Sequence, residues 1–203
     1  MPYCTKREFI FIHIPKTGGT SIEYKLDLGH IENGFIIEDK ISFQHSDYTY
    51  YQNLFGYLFK KYTKFTVVRN PYTRIISAYF YIPNKKIGAK ASQSFDDFLK
   101  YVESVLKKKN FHEDLYDIHF RNQHEFICDS NGKIKVDKLF HFEKYNEVED
   151  FLFKKYNITD KRVMLKGNYK KNQIILTDKQ KNLIYNLYKK DFELFGYSKD
   201  FVQ

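Results

Sequence analysis

The sequence contains few of the residues that build metal centres, disulfide frameworks or linkers. Its 203 residues include two cysteines, four prolines and nine glycines. Cys4 and Cys128 lack the spacing of a metal site and are too few for a disulfide framework, so we expect no metal and a reduced, intracellular setting. No linker, repeat or low-complexity tract divides the chain. We therefore predict a single domain over residues 1–203, a length that allows a sizeable core.

Long hydrophobic runs are also lacking. No segment approaches the roughly 20 apolar residues that cross a bilayer, and residues 1–7 contain no apolar stretch of signal-peptide length. We expect a soluble, cytoplasmic protein without a membrane span. The abundance of Lys, Asn, Ile, Tyr and Phe is typical of an AT-rich viral or bacterial genome.

Charge is abundant and mostly of one sign. The chain has 34 Lys and Arg residues against 25 Asp and Glu residues, a net charge of +9. This balance suits a polyanionic nucleotide and an anionic acceptor such as an acidic glycan. Nucleic acid is the competing partner, with the lysines at 107–109 as a phosphate-tracking patch. The sequence has no helix-turn-helix, zinc-finger or RNA-recognition signature, so we expect no nucleic acid.

The most informative segment is residues 9–21, FIFIHIPKTGGTS. An apolar, strand-like run leads into Lys16, two glycines and three hydroxyl residues, and a segment with helical periodicity follows. Helix N-termini bind anions, because unpaired backbone N–H groups and the positive end of the helix dipole converge there. The glycines allow the backbone to approach a phosphate, and Lys16 adds a mobile positive charge. The pattern predicts an anion-binding loop.

The order of residues differs from that of the nucleoside triphosphate loop. That motif reads G-x-x-x-x-G-K-[ST], with the lysine after the second glycine. Here Lys16 precedes both Gly18 and Gly19, which argues against a standard ATPase or GTPase. The simpler alternative is that the glycines only form a turn between strand and helix.

A second strand-to-helix junction lies at residues 64–79, KFTVVRNPYTRIISAY. Asn70 is a good N-cap and Pro71 suits the first helical position. Arg69 then stands at the C-terminal end of a buried strand, where open α/β sheets bind ligands. Ser77 lies about two turns into the helix. A surface ion pair for Arg69, and a bond to its own helix for Ser77, are the competing interpretations. Two junctions predict a ligand with two separated anionic groups.

Together these motifs resemble the sulfotransferases that use 3′-phosphoadenosine 5′-phosphosulfate (PAPS). The group includes heparan sulfate 2-O-sulfotransferase and small bacterial and viral carbohydrate sulfotransferases. Residues 13–21 resemble its 5′-phosphosulfate loop, residues 69–79 its 3′-phosphate element, and residues 191–197 its C-terminal ending. The resemblance implies a P-loop-type, three-layer α/β fold with a mostly parallel central sheet flanked by helices.

The resemblance also implies roles for individual residues. Lys16 stabilises the bridging oxygen between the sulfate and the 5′-phosphate. The 5′-phosphate is held by five loop residues, namely Thr17, Gly18, Gly19, Thr20 and Ser21. The 3′-phosphate is held by Arg69 and Ser77, and in a later loop by Asn168 and Lys170 or Lys171. For that later loop, a plain surface loop is the competing interpretation. PAPS is the co-substrate and 3′-phosphoadenosine 5′-phosphate (PAP) the product, and no metal is required when lysine and backbone donors supply the charge.

A base must accept the proton of the acceptor hydroxyl. We favour His45, because imidazole titrates near neutrality and the family has a histidine in a comparable place. Gln44 replaces the glycine that usually precedes it. His119, in an H-x-x-x-Q stretch, ranks second as base or as an acceptor contact. His13 is expected to orient the loop, and Glu23 is a carboxylate alternative. For His45 and His119 a purely surface or structural role is the competing interpretation.

Periodicity predicts strands that alternate with helices, which implies a mostly parallel sheet. The predicted strands are 8–14, 65–68 and 139–142, with a hairpin of 126–128 and 134–136 around a turn at 129–132. The predicted helices are 20–28, 48–61, 71–81, one that begins after Ser94, 146–156, and one that begins after Thr177.

These observations predict a sulfotransferase that moves a sulfuryl group from PAPS to a hydroxyl acceptor, with a glycan favoured, by in-line displacement with a histidine base. Two alternatives stay open. One is a P-loop kinase for a small molecule, and the other is a non-catalytic module that binds a nucleotide or a polyanion.

Overall fold

The computed structural model describes residues 3–26, 44–82, 94–111, 116–158 and 174–200. Packing groups the chain into two compact units. The first, which we call the sheet unit, comprises Met1–Val68 and Gln123–Lys166, and the second, the helical unit, comprises Arg69–Asn122 and Gly167–Gln203. A single domain over residues 1–203 stays a prediction.

The sheet unit contains a mixed, mostly parallel sheet. Its strands are β1 (Tyr3–Cys4), β2 (Phe9–Ile12), β3 (Thr63–Val68) and β4 (Lys138–His141), in the spatial order β1-β2-β3-β4. The pair β1/β2 is antiparallel, whereas β2/β3 and β3/β4 are parallel. Because parallel strands end at the same edge of a sheet, the chain leaves β2, β3 and β4 at one edge.

Helices cover one face of this sheet. Phe11 and Phe65 are cross-strand partners whose rings stack with centroids 5.0 Å apart. On the same face pack Ile22 of α1 (Gly19–Lys25) and Val148 of α7 (Tyr145–Tyr156). Every residue of β2 is inaccessible to solvent, as expected for a parallel sheet buried on both faces. The remaining helices of this unit are α2 (Tyr48–Phe55), α3 (Leu58–Lys61) and α6 (His124–Ile127).

The helical unit packs around a core of its own. It contains α4 (Pro71–Tyr81), α5 (Phe95–Lys108), α8 (Asp178–Leu187) and α9 (Lys189–Phe195). The core is apolar, and its larger members include Tyr72, Phe98, Phe120, Tyr188 and Phe192. The buried Tyr188 hydroxyl donates to the backbone oxygen of Phe120 at 2.9 Å.

Most predicted elements are confirmed. Helix 71–81 is confirmed at both bounds, and the Asn70 side chain caps it by accepting from the Tyr72 N–H. Ser94 caps α5, and Thr177 caps α8 through a capping box. The α/β class, with a mostly parallel sheet and flanking helices, is confirmed. The two regions expected to be irregular, residues 29–47 and 82–94, lie largely outside the described residues.

Two element predictions are wrong in detail, and one strand was not predicted. The helix predicted over 48–61 is two helices, because Gly56 ends α2 with φ 53° and ψ −123°, outside the helical region. The strand predicted at 126–128 is mainly helical, since Cys128 N–H donates to His124 O, and only Cys128 pairs with Ile134. The short strand β1 was not predicted at all, because two residues carry no readable alternation.

Arg74 ties the interior of the helical unit together. Its side chain is buried, and Nη2 donates to the backbone oxygens of His119 and Arg121 at 3.0 and 2.9 Å. Burial lowers the pKa of Arg74, while the charges of Tyr188 and the buried Asp191 act in the opposite direction. A buried cation with carbonyl and carboxylate partners is a strong constraint, because each partner would be costly to leave unpaired.

We expect Arg74→Met to lower the free energy of unfolding by about 3 kcal/mol, since it leaves two buried carbonyl oxygens without this donor. Urea denaturation followed by circular dichroism measures the change. Lys100→Met, which removes an exposed cation of α5, is the control and should change the value by less than about 0.5 kcal/mol. A loss below about 1 kcal/mol in Arg74→Met would contradict the assigned role.

Candidate anion-binding site

The loop between β2 and α1 has the backbone of an anion cradle. Lys16 and Gly18 both adopt positive φ, at 67° and 83°, and α1 begins at Gly19. Positive φ is uncommon for a lysine and costs on the order of 1 kcal/mol, which other contacts must offset. The first turn of α1 contains no acidic side chain, and Gly18 supplies no side-chain cap. The backbone N–H groups at the start of α1 are therefore not satisfied by a capping side chain.

A second constraint makes Gly19 obligatory. A β-carbon at this position would stand 2.2 Å from Cδ2 and 2.3 Å from Nε2 of the His13 ring. His13 is buried, with 3% of its surface exposed. The ring therefore occupies the space that any larger residue at position 19 would need. The position of His13 matches its predicted role in orienting the loop.

Thr17 fixes the loop to the end of the strand. Its hydroxyl donates to the backbone oxygen of Ile14 at 2.8 Å, and the residue is fully buried. Thr20, by contrast, is exposed in the first turn of α1. Thr17 therefore stabilises the loop from inside, whereas the other loop residues predicted to bind phosphate lie at the helix N-terminus.

Two residues that the sequence analysis missed pack against the loop. The ring of Phe142 would lie 3.0 Å from a β-carbon at Gly18, and Tyr145 donates its hydroxyl to the Gly18 oxygen at 3.3 Å. Tyr145 also shares a side-chain hydrogen bond with Ser21. Burial raises the pKa of Tyr145, helped by the charge of Glu149 and opposed by the Ser21 bond. The sequence signal that could have identified these two residues is the end of strand β4, because it lies at the same edge of the sheet as the loop.

A buried carboxylate lies beneath the loop. Glu23 Oε1 is 2.8 Å from His13 Nδ1, and Glu23 Oε2 accepts from Gln44 Nε2 at 2.8 Å. Burial raises the pKa of Tyr51 well above its usual value, and the nearby charge of Glu23 raises it further. These contacts place Glu23 as a partner of other side chains rather than on a solvated helix face.

His45, the favoured base, lies beside this cluster. Its Nδ1 is 2.9 Å from the backbone oxygen of His13, and the two rings meet edge to face at 4.7 Å. A carbonyl oxygen only accepts, so Nδ1 carries the proton and the lone pair of neutral His45 is on Nε2. A general base that accepts a proton at Nε2 requires this tautomer.

In the helical unit, Arg69 lies along one face of α4. The residue follows Val68 directly in the chain, and its Nε donates to the Thr73 hydroxyl at 3.0 Å. Ser77 is four residues beyond Thr73 and thus on the same face of the helix, and both are partly exposed. The Nε bond holds the planar guanidinium against the first turn. Thr73, which the sequence analysis did not single out, positions the predicted cation.

His119, the second-ranked histidine, has a more enclosed setting. It is 8% exposed in a 3-10 turn, with Nδ1 at 3.1 Å from the Tyr116 backbone oxygen. Its ring lies 5.4 Å from that of Tyr81. Its own backbone oxygen accepts from Arg74. These contacts enclose His119 within the helical unit, and its role as base or acceptor contact stays a prediction.

Asn168, Lys170 and Lys171, predicted for the 3′-phosphate, lie outside the described residues. Over the ranges that the structure describes, no group of three or more His, Cys, Asp or Glu residues is arranged to hold a metal ion. Over the same ranges, no helix has both the length and the apolar character needed to cross a bilayer.

Comparison with known families agrees with the architecture. A model of the sulfotransferase family matches residues 2–198, almost the entire chain. The chain therefore belongs to the sulfotransferase family, with a P-loop-type α/β fold, and is an enzyme that transfers sulfuryl groups. Neither the curated proteins nor the solved structures yield a significant match.

We expect Gly19→Ala to destabilise the sheet unit by about 1–3 kcal/mol, because the new methyl group overlaps the His13 ring. His13→Ala should remove the overlap, so Gly19→Ala should cost less in that background. Thermal unfolding of the four proteins of this double-mutant cycle measures the coupling. Strictly additive effects would show that the two residues do not compete for the same space.

Proposed function

We propose that this enzyme transfers the sulfuryl group of PAPS to a hydroxyl acceptor, with a glycan as the favoured class. The loop of residues 15–21 carries the proposal, since a lysine and a glycine at positive φ precede a helix N-terminus without acidic side chains. Such a loop suits an anion with several acceptor oxygens. The closeness of Gly19 to His13 keeps position 19 without a side chain, which suits the close approach of a large phosphosulfate group.

We assign the 5′ end of the donor to this loop. The N–H groups of Gly18, Gly19 and Thr20 and the hydroxyls of Thr20 and Ser21 would bind the 5′-phosphate. Lys16 would stabilise the charge that develops on the bridging oxygen as the sulfur–oxygen bond breaks. Preorganised donors of this kind supply most of the catalysis in the related phosphoryl transfers.

We assign the 3′-phosphate to Arg69 and Ser77, with Asn168 and Lys170 as further candidates. The bond from Arg69 Nε to Thr73 supports this assignment, since it orients the guanidinium on the face of α4 that also carries Ser77. Arginine binds phosphate through parallel N–H donors, and a fixed plane favours that geometry. A 3′-phosphate contact would separate PAPS from ordinary adenine nucleotides.

We assign the proton transfer to His45. The acceptor oxygen attacks sulfur, its proton passes to His45 Nε2, and the electron pair of the broken sulfur–oxygen bond stays on the 5′-phosphate of PAP. The hydrogen bond from His45 Nδ1 to the His13 oxygen supports this role because it leaves the Nε2 lone pair for the proton. His119 stays the second candidate.

The acceptor assignment depends on charge. A net charge of +9 favours an acidic acceptor over a neutral one. A screen with radiolabelled PAPS against acidic glycans, neutral glycans, peptides and phenols tests the proposal. Transfer of label to a hydroxyl of an acidic glycan is the expected result. Absence of transfer to every acceptor, together with magnesium-dependent binding of ATP, would favour the kinase alternative instead.

We expect Arg69→Gln to weaken PAP binding by about 10- to 100-fold, because it removes charge-assisted hydrogen bonds to the 3′-phosphate. The affinity for AMP, which has no 3′-phosphate, should be unchanged. Isothermal titration calorimetry measures both. Lys100→Gln changes the net charge equally on an exposed part of α5 and is the control. An equal loss for PAP and AMP would show that Arg69 does not read the 3′-phosphate.

We expect His45→Asn to lower kcat by about 10²- to 10⁴-fold, the usual contribution of a general base. PAP affinity should not change, because His45 contacts the acceptor and not the nucleotide. His119→Asn, tested in parallel, should retain substantially more activity. Steady-state kinetics with labelled PAPS decide between the two histidines. A larger loss of kcat in His119→Asn would reverse the assignment.

A further inference from the structure

Glu23 contacts two residues that are next to His45. One precedes His45 in the chain, and the other is bonded to His45 through its backbone oxygen. Glu23 Oε1 is 2.8 Å from His13 Nδ1, and Glu23 Oε2 accepts from Gln44 Nε2 at the same distance. Gln44 precedes His45 in the chain. His13 presents the carbonyl oxygen to which His45 Nδ1 donates. One buried carboxylate therefore holds both neighbours of the histidine.

We propose that Glu23 is a positioning residue for His45, acting through His13 and Gln44. This inference deepens the proposed function and rests on it. His13 fixes which ring nitrogen of His45 carries the proton. Gln44 fixes the position of the backbone that leads into His45. Because both residues are bonded to the carboxylate of Glu23, a single substitution of Glu23 removes both constraints.

The surroundings of Glu23 support a fixed position for it. The residue is 7% exposed, and the His13 ring that it bonds is itself packed against Gly19 and stacks on Phe11 with centroids 5.5 Å apart. A buried carboxylate is costly unless hydrogen bonds satisfy it. The donors from His13 and Gln44 meet that need. They also connect the base to the anion-binding loop through one side chain.

The arrangement also explains the glutamine at position 44. A glycine there has no side chain to reach Glu23, so it would leave Oε2 without this donor. Gln44 is exposed at the residue level, yet its amide points to a buried group. The amide therefore serves as an anchor for the segment that carries His45.

The geometry further separates positioning from direct proton transfer. Both carboxylate oxygens of Glu23 face donors of the protein. Glu23→Gln keeps an acceptor for His13, and the Gln44 amide can turn to present its oxygen to the new NH2 group. A positioning role is therefore retained by glutamine, whereas a role as proton acceptor is not.

The test compares Glu23→Leu with Glu23→Gln in the full chain. We expect Glu23→Leu to lower kcat by about 10²-fold, the scale of a misplaced catalytic group. Glu23→Gln should stay within about threefold of the wild type. Nitrogen NMR of the imidazoles should show the Nδ1–H tautomer of His45 in the wild type and in Glu23→Gln. A mixture of tautomers is expected in Glu23→Leu.

Two outcomes would overturn the inference. One is that Glu23→Leu leaves both kcat and the His45 tautomer unchanged. The other is that Glu23→Gln loses as much activity as Glu23→Leu, which would make Glu23 the proton acceptor itself. If the wild type transfers no sulfate, the proposed function fails, while the tautomer comparison still decides whether Glu23 orients His45.

Gln44→Leu provides a second variant should Glu23→Leu fail to fold. It removes one bond to Glu23 and should lower kcat about tenfold, with a shift in the His45 tautomer ratio. Gln52→Leu, at an exposed position of α2, is the matched control and should change neither. Identical behaviour of Gln44→Leu and Gln52→Leu would contradict the anchoring role.

Discussion

The packing of the His13 ring against Gly19 is the constraint from which the rest of the site follows. It excludes a side chain at position 19, the first residue of α1. The ring is in turn fixed by the carboxylate of Glu23. Because the His13 carbonyl also accepts from His45, the loop and the proposed base share one support.

The loop is braced from the other side by the segment that follows β4. Phe142 and Tyr145 contact Gly18, and Tyr145 connects to Ser21. Strand β4 thus contributes to the site through its end rather than its length. Lys16 adopts its positive φ within the same loop. Local strain at a functional residue is tolerated when its surroundings over-determine the conformation.

The two arginines of the second motif illustrate how much sequence can reveal. The spacing around Asn70 and Pro71 predicted α4 at both bounds, because capping chemistry is local. The pattern singled out Arg69 at the strand end but indicated no role for Arg74. Arg74 faces carbonyl groups of residues 119 and 121, which are distant in sequence, so its structural role depends on tertiary packing. Glu23 was likewise expected only as an alternative base, and its burial depends on tertiary contacts with His13 and Gln44.

The central claim is that the amides of the loop hold the 5′ end of the donor. The most direct test is titration of the isotope-labelled protein with PAP and with adenosine 3′-monophosphate, followed by amide NMR. We predict that PAP moves the amide resonances of Gly18, Gly19, Thr20 and Ser21 strongly, and that the 3′-monophosphate, which lacks the 5′-phosphate, does not. Saturation with PAP that leaves these four resonances in place would contradict the account.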